Sequence, residues 1–485
     1  MNIKKAILGK AQCAVDLGDG SERGEYVCQD YIINKLGRPH KGIGLMYCYY
    51  PLDKGWPERA SIAFQSKDSK NAWGYPYDDY FPYQGGLEGN QDGEPFTFMR
   101  DIRKHGQDVN LTMTFDCAVS DEQLIAIAKD LKKFGRIRFR INHEATGTWF
   151  NFNKRYSYQE VADFFVRFHK IIKEYAPNVS TLICIGGLKK DGSGEIEYEE
   201  EFTEALQVAD IWSHDRYISL HWGWPNDIAE PGLNNHSRND LKVVHEHNRD
   251  AFERYKVVNN GKDKLKVLSE LNTDGDVTGG IQQAEDVKEF YDRIKSGEFD
   301  FYNSITMYQF RDRGRLGLEQ EDPNNPDVGI DQPLLQTYKE IISDPYFNPT
   351  IKADTDIELP FKLRWGDAED SDGIAIGIDF EKNPVFCEVT FNEEGLNLMM
   401  EINGRWFYKA PDTKVIDLMP AFWDKPLTKG KEIKLNIFAP PANGENDPSQ
   451  GDDWDINYYS EMQNIPEFRI RYAPSVLRSE VNTQL

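Results

Sequence analysis

The chain lacks an excess of basic residues, a long hydrophobic run and a signal peptide. These absences bear on its partners, on membrane insertion and on its location. It has 57 lysines and arginines against 81 acidic residues, for a formal net charge of −24. A chain with this charge cannot neutralise phosphates, so we expect neither nucleic acid nor an anionic membrane as a partner. Because no stretch of about 20 apolar residues occurs, we predict no transmembrane helix. The basic N-terminus lacks an apolar run, which predicts a cytoplasmic protein or a secreted one whose leader has been removed.

Cysteine and histidine patterns give no metal site. The six cysteines are scattered without a C-x-x-C pair, so neither a zinc site nor a disulfide framework is predicted. His143-Glu144 is followed by Gly147 where a zinc protease carries its second histidine. His245 and His247 are two apart in a predicted helix, where such neighbours do not share a face, so we expect a solvated helix surface. We predict no metal and no cofactor.

Length and periodicity indicate two domains in the 485 residues. Over residues 1–345, eight strand-like segments alternate with helix-like segments, which predicts a (β/α)₈ TIM barrel. The predicted strands are 10–17, 42–50, 109–115, 136–144, 178–186, 216–222, 265–270 and 301–310. Residues 351–475 contain short strands and turns without a helical period, and we predict a C-terminal all-β sandwich there.

The stretch 136–150 carries the most chemistry. Ile137, Phe139 and Ile141 alternate with three arginines, and this period of two predicts a strand. Glu144 keeps the parity of the arginines and ends the strand. A carboxylate at the carboxyl end of a barrel strand is how barrel enzymes present a catalytic acid. The alternative is an ion-paired glutamate on an edge strand.

A second carboxylate, Glu270, ends the predicted seventh strand. Strands four and seven lie on nearly opposite sides of an eight-stranded barrel, so their C-terminal side chains can meet over its mouth. Retaining glycoside hydrolases need two carboxyl groups about 5–5.5 Å apart, one as nucleophile and one as acid and then base. The pairing of Glu144 with Glu270 therefore indicates glycoside hydrolysis, against the alternative of two unrelated strand-end glutamates.

The strand-four segment carries a family resemblance. Arg140-Ile-Asn-His-Glu-Ala-Thr-Gly-Thr-Trp-Phe resembles the motif of glycoside hydrolase family 26, Arg-Pro-x-His-Glu-Met-Asn-Gly-x-Trp followed by an aromatic residue. That family belongs to clan A, whose retaining (β/α)₈ glycosidases carry acid/base and nucleophile glutamates on strands four and seven. The resemblance implies that Glu144 is the acid/base, that Glu270 is the nucleophile, and that His143 is the histidine preceding the acid.

The expected activity is retaining, endo-acting hydrolysis of a polysaccharide, with β-mannan favoured. The motif departs from the family at Ile141, in place of proline, and at Ala145-Thr146, in place of Met-Asn. These departures leave other clan A activities open, such as those of an agarase or a β-glucanase. An alternative from another class is a non-catalytic carbohydrate-binding barrel.

Further candidates for substrate binding are polar or aromatic residues predicted near the mouth, since flat apolar rings suit pyranose C–H faces. They are Arg140, Asn142, His143 and Trp149 around strand four, His221 and Trp222 ending the predicted strand six, Tyr308 on strand eight, and Trp73 and Tyr75 in the aromatic loop 73–83. For the aromatic residues the alternative is packing beneath a loop. Arg140 can also hold Glu270 ionised through its positive charge, in addition to forming a structural ion pair.

Overall fold

The computed structural model describes residues 3–18, 26–59, 80–87, 89–185, 200–221, 235–365, 371–423, 425–427, 432–440 and 459–474. The candidates Trp73, Tyr75 and Trp222 lie outside these ranges. Within the ranges, every helix is too short or too polar to span a membrane.

Eight parallel strands form the barrel. In chain order they are Ala14–Gly18, Gly42–Tyr49, Asp108–Phe115, Ile137–Glu144, Val179–Cys184, Ile211–Ser213, Leu265–Leu271 and Ser304–Met307, and they are called strands one to eight below. Each strand pairs with the next, and strand one pairs with both strand two and strand eight, which closes the sheet. The predicted (β/α)₈ architecture is therefore confirmed.

Helices alternate with these strands and cover the outside of the barrel. They are Gln29–Leu36, Phe96–Lys104, Asp121–Leu131, Asn151–Arg155, Tyr158–Tyr175, Thr203–Val208, Leu241–Val258, Gly275–Thr278, Gly280–Lys295 and Pro333–Ser343. The sequence specifies several of their starts. At Asp121–Leu131, for example, the hydroxyl of Ser120 accepts a hydrogen bond from the backbone N–H of Gln123, and the Gln123 side chain bonds back to Ser120.

The prediction of strand six at 216–222 is wrong. The three residues Ile211–Ser213 occupy its place between strands five and seven. Ser219–His221 pairs instead with His236–Arg238 in a separate two-stranded sheet. A strand of three residues is too short to show a period of two, whereas the longer segment after it does show one. Strand six therefore ends at Ser213 and not at the predicted Trp222.

The histidine pair of helix Leu241–Val258 also differs from expectation. Both His245 and His247 are buried, at 0% and 8% exposure, so the prediction of a solvated surface is wrong. The ring of His245 stacks on Phe290 at 3.9 Å between centroids, and that of His247 stacks on His214 at 5.1 Å. Aromatic neighbours from adjoining elements cover this part of the helix.

The C-terminal region forms two packed sheets, and the predicted sandwich is confirmed. The larger sheet has the order Ile351–Asp356, Ile3–Leu8, Ser371–Ile378, Ile433–Phe438, Leu398–Ile402 and Arg405–Lys409, with Phe361–Arg364 and Tyr459–Met462 attached. The smaller sheet has the order Val415–Asp417, Phe386–Thr390 and Glu467–Arg471. A short helix, Pro420–Trp423, lies in the same region. Residues of both sheets, among them Ile376, Leu398 and Val389, share one apolar core.

The first strand of the chain belongs to the sandwich. Ile3–Leu8 lies between Ile351–Asp356 and Ser371–Ile378 and is antiparallel to both. The division into 1–345 and 351–475 assigns this strand to the barrel, and here the structure differs from it. Residues before and after the barrel in sequence thus complete one sheet.

The sandwich docks on the barrel at the end opposite the mouth. The backbone N–H of Trp406 donates to the carbonyl of Gly37 at 2.8 Å. The ring of Tyr408 contacts that of His105 at 4.4 Å between centroids. Gly37 and His105 end the helices that lead into strands two and three, and such helix ends lie beside the starts of the strands. The observed contacts therefore brace the barrel away from its C-terminal face.

Candidate active site

The backbone at the end of strand four is distorted, and this distortion brings residues of the site together. Asn142 and His143 have φ values of 60° and 41°, in the left-handed region that residues with side chains rarely adopt. The register of strand four against strand five also shifts between Arg140 and Glu144. Regular alternation places His143 on the face opposite Arg140, but here Arg140 Nη2 lies 3.1 Å from His143 Nδ1. Such backbone strain is typical of functional sites.

Glu270 lies at the centre of this arrangement. Its side chain is buried, and its Oε1 accepts hydrogen bonds from Arg140 Nη1 at 2.6 Å and from His143 Nε2 at 2.9 Å. Its Oε2 accepts one from the hydroxyl of Tyr217 at 2.9 Å. Strands four and seven are not neighbours in the sheet, so the contacts from strand four reach Glu270 across the interior of the barrel.

Arg140 joins Glu270 to a second buried carboxylate, Asp215, which follows strand six. Arg140 Nη2 donates to Asp215 Oδ2 at 2.5 Å. Asp215 Oδ1 also accepts the backbone N–H groups of Ser269 and Glu270, at 2.9 and 3.0 Å. Asp215 therefore fixes both the guanidinium of Arg140 and the backbone that carries Glu270.

These contacts decide the charge of Glu270. Burial by itself raises the pKa of this carboxyl group, but the electrostatic interactions with His143 and Arg140 and the hydrogen bonds from both outweigh burial. The pKa of Glu270 is therefore held well below its ordinary value, and the group is ionised at neutral pH. Burial lowers the pKa of His143, and the charge of Arg140 lowers it further, so the imidazole is neutral there.

Glu144 is the last residue of strand four and is half-buried. Its backbone N–H donates to His143 Nδ1 at 2.8 Å, while the other ring nitrogen of His143 contacts Glu270. The backbone of Glu144 and the side chain of Glu270 thus contact the same imidazole. The site combines an ionised, hydrogen-bonded carboxylate on strand seven with a half-buried glutamate at the end of strand four.

The remaining candidates near strand four divide into two groups. Arg140 and Asn142 are buried at 3% and 1% exposure and contact protein groups. Asn142 Oδ1 accepts the backbone N–H of Phe115 at 2.8 Å, which ties strand four to strand three. Trp149, by contrast, is 47% exposed, beside the ring of Phe150. Trp149 therefore presents a flat apolar surface to solvent, and the two buried residues support the site from below.

Tyr308 directly follows strand eight, and His221 ends the short strand Ser219–His221. The ring of Tyr308 packs edge-on against that of Tyr217 at 6.0 Å, one step from Glu270. His221 bonds through Nδ1 to the carboxylate of Asp274, three residues beyond strand seven. The structure thus brings Tyr308 next to the glutamate, while His221 is attached to the loop after strand seven.

One grouping among the described residues resembles a metal site. Ligand atoms of His221, Asp274 and Asp276 lie within 4.8 Å of one another. They are engaged by protein groups: His221 bonds to Asp274, and Asp276 Oδ2 accepts the backbone N–H of Arg315 at 2.9 Å. These hydrogen bonds explain why the three side chains lie close together, because they link the segments that carry His221, Asp274 and Arg315.

Sequence reasoning missed Asp215 and Tyr217 because strand six was predicted at 216–222, so that Asp215 preceded the predicted strand and Tyr217 lay within it, whereas both follow the actual strand Ile211–Ser213. The signal that was available is the buried arginine itself. A guanidinium on the inner face of a barrel needs carboxylate partners, and Ser213-His214-Asp215 closely follows the apolar residues Ile211 and Trp212. Placing strand six at these residues would have put Asp215 at the mouth.

Comparisons with known proteins give structural likenesses and no sequence family. No protein-family model matches the chain, and no curated protein matches it.

Several solved glycoside-cleaving enzymes share the overall arrangement. A family 26 endo-β-1,4-mannanase from Cellulomonas fimi is 12% identical over 88% of this chain and 89% of its own, with a TM-score of 0.41. A glucosidase from Croceicoccus marinus is 8% identical over 89% and 96%, with a TM-score of 0.46. An α-L-arabinofuranosidase from Thermotoga maritima is 11% identical over 90% and 99%, with a TM-score of 0.42. At these identities, the likenesses do not indicate the substrate of this chain.

Proposed function

We propose that the chain is a retaining glycoside hydrolase that cleaves a polysaccharide with Glu270 as nucleophile and Glu144 as acid and base. The observation that carries the proposal is the setting of Glu270. A buried carboxylate held ionised by Arg140, at the carboxyl end of strand seven, is suited to attack an electrophilic carbon. Its partner Glu144 ends strand four at the same face of the barrel.

In the first step, a carboxylate oxygen of Glu270 attacks the anomeric carbon. Oε2 accepts one protein hydrogen bond whereas Oε1 accepts two, so Oε2 has the freer lone pairs. Glu144 gives its proton to the glycosidic oxygen as that bond breaks. The leaving sugar departs as an alcohol, and the remaining sugar is esterified to Glu270.

In the second step, Glu144, now a carboxylate, takes a proton from water as the water attacks the same carbon. The ester to Glu270 breaks, and the carboxylate returns to its hydrogen bonds with Arg140, His143 and Tyr217. Two inversions at one carbon give net retention of configuration. The neutral His143 and the charged Arg140 need no change of protonation in either step.

The substrate is a glycan large enough to reach the exposed surfaces at the mouth. Trp149 supplies one such surface. The resemblance of the strand-four motif to family 26 makes β-mannan the first polysaccharide to test, and agar and β-glucan represent the alternatives.

The experiment measures reducing-sugar release from mannan, xylan, β-glucan and agar by the wild type, Glu270→Gln and Glu144→Ala. The proposal requires release by the wild type and loss of release in both variants, with folding unchanged. Glu401→Gln is a matched control, because Glu401 is also hydrogen-bonded but lies in the sandwich. Activity like the wild type in Glu270→Gln would refute the assignment, and glycan binding without product would favour the binding-protein alternative.

Azide separates the two roles. Azide enters the space left by a shortened side chain and replaces its function. With an activated aryl glycoside, Glu144→Ala should form the glycosyl azide with retained configuration, because the sugar ester on Glu270 still forms. Glu270→Ala should form it with inverted configuration, because azide then attacks the anomeric carbon directly. The opposite pairing of products would exchange the two assignments.

A further inference from the structure

Two aromatic rings pack against the imidazole of His143. The ring of Tyr80 lies parallel to it, within 4°, at 5.7 Å between centroids. On another side, Phe150 lies at 4.8 Å and is tilted by 35°. Both aromatic residues are buried, at 3% and 6% exposure. The imidazole, itself 4% exposed, is therefore shielded by these rings, and its two nitrogens contact protein groups.

The groups at that edge fix the position of the proton. Two donors approach Nδ1: Arg140 Nη2 at 3.1 Å and the backbone N–H of Glu144 at 2.8 Å. Nδ1 must accept from both, so the proton of the neutral ring is on Nε2. Nε2 lies 2.9 Å from Glu270 Oε1 and donates to it. A ring turned by 180° about its bond to Cβ would disturb these contacts.

Tyr80 is itself held to the barrel. The thiol of Cys48 donates to the carbonyl oxygen of Tyr80 at 3.3 Å. The next two residues pair in parallel with the end of strand two, Phe81 opposite Tyr47 and Pro82 opposite Cys48. Tyr80 is therefore attached to the end of strand two, and its ring is held in place beside His143.

We propose that Tyr80 is a positioning residue whose ring, together with that of Phe150, holds His143 as the neutral Nε2–H tautomer that donates to Glu270. The proposal rests on the proposed function in one respect, namely that Glu270 is the nucleophile. Without the ring of Tyr80, water reaches the imidazole, which then rotates and takes up a second proton more easily. That second proton would lie on Nδ1, against the two donors from Arg140 and Glu144.

Several charged groups face His143 and set the direction of the expected change. Burial and the positive charge of Arg140 keep the imidazole neutral, whereas the carboxylates of Glu270 and Asp215 favour its protonation. Removing the ring of Tyr80 weakens burial and leaves the charges in place. The pKa of His143 should therefore move upward toward that of an ordinary histidine.

The test uses the ring nitrogen NMR signals of His143 in full-length protein labelled with ¹⁵N-histidine, assigned by their loss in His143→Gln. In wild type and Tyr80→Phe, the signals should report a neutral Nε2–H ring. In Tyr80→Leu, they should titrate at higher pH or show a mixture of tautomers. Phe150→Leu removes the second aromatic ring that packs on His143 and should give the same change, which keeps the proposal testable if Tyr80→Leu does not fold. Signals of Tyr80→Leu or Phe150→Leu identical to wild type, or an equal change in Tyr80→Phe, would overturn it.

A matched control lies at another stacked pair. The ring of Tyr338 is parallel to that of His40 within 7°, at 5.8 Å. Tyr338→Leu removes a comparable buried ring but should leave the His143 signals unchanged, which separates local positioning from general destabilisation. These spectra are recorded without substrate, so they test the position of the His143 proton even if Glu270→Gln proves active. Where activity is found, Tyr80→Leu should lower kcat about tenfold to hundredfold with little change in KM, as expected for a misplaced reacting group.

Discussion

Arg140 is the residue whose removal tests the electrostatic account of the site most directly. It is 3% exposed and lies between the carboxylates of Asp215 and Glu270. Arg140→Met keeps much of the apolar length of the side chain but removes the charge and the hydrogen bonds. Breaking a buried ion pair by removing one partner costs about 3–5 kcal/mol, because the remaining charge is left without compensation.

This cost translates into a shift of the melting temperature. An unfolding entropy of about 2.1 cal/mol/K per residue, over a barrel of roughly 340 residues, gives about 0.7 kcal/mol per degree. We therefore expect Arg140→Met to melt about 4–7 °C below the wild type at pH 7. Calorimetry of the full-length chain measures the difference.

The pH dependence gives the stricter test. In the wild type the pKa of Glu270 is lowered, so this group contributes stability above its unfolded pKa of about 4.3 and loses that contribution as pH falls toward the folded value. In Arg140→Met, only His143 still opposes the effect of burial, so we expect the pKa of Glu270 to rise above its unfolded value and the sign to reverse. The carboxylate then destabilises the fold at neutral pH, and protonation relieves the effect. The difference in melting temperature between the wild type and Arg140→Met should therefore be larger near pH 7 than near pH 4.5.

Arg38→Met is the matched control for this experiment. Arg38 is also buried, at 6% exposure, but its hydrogen bonds go to the carbonyl oxygens of Pro39 and Ile342. Its removal should lower the melting temperature by an amount that changes little with pH. Two results would refute the reasoning. One is a loss of melting temperature in Arg140→Met that is equal at pH 4.5 and pH 7. The other is a loss in Arg38→Met that becomes smaller at pH 4.5 to the same extent as in Arg140→Met.

Three further predictions concern other parts of the molecule. The Tyr217 hydroxyl donates to the charged Glu270, and such a hydrogen bond contributes about 1.5–3 kcal/mol, so Tyr217→Phe should lower the melting temperature by about 2–4 °C and kcat about tenfold or more. Trp149→Ala should raise KM about twofold to tenfold by removing a stacking surface, and an unchanged KM would exclude the ring from binding. Deletion of residues 1–9 removes the strand Ile3–Leu8 from the middle of the larger sheet. Calorimetry should then show a lower melting temperature for the sandwich, and no change would contradict the pairing.

The fold could be predicted from the sequence wherever an element was long enough to show its period. Strands two, three and four, each of eight residues, lie within one residue of their predicted bounds. Strand six, of three residues, was misplaced. The pairing of Ile3–Leu8 with the sandwich could not be predicted either, because a short strand carries no local signal of its partner. Local pattern specifies the type of an element, whereas long-range pairing depends on the closed structure.

The arginines of strand four show the same limit within the site. Alternation places Arg136, Arg138 and Arg140 on one face, and the structure pairs each of them with a carboxylate. Arg138 Nη1 reaches Asp16 at 2.7 Å, and since strands one and four are not neighbours, this contact shows that the face points into the barrel. A buried arginine requires an acidic partner, so the sequence demands partners for Arg140, but it contains 81 acidic residues. Only closure of the barrel, which brings the ends of strands four, six and seven together, selects the two carboxylates that Arg140 binds and thereby sets the charge of Glu270.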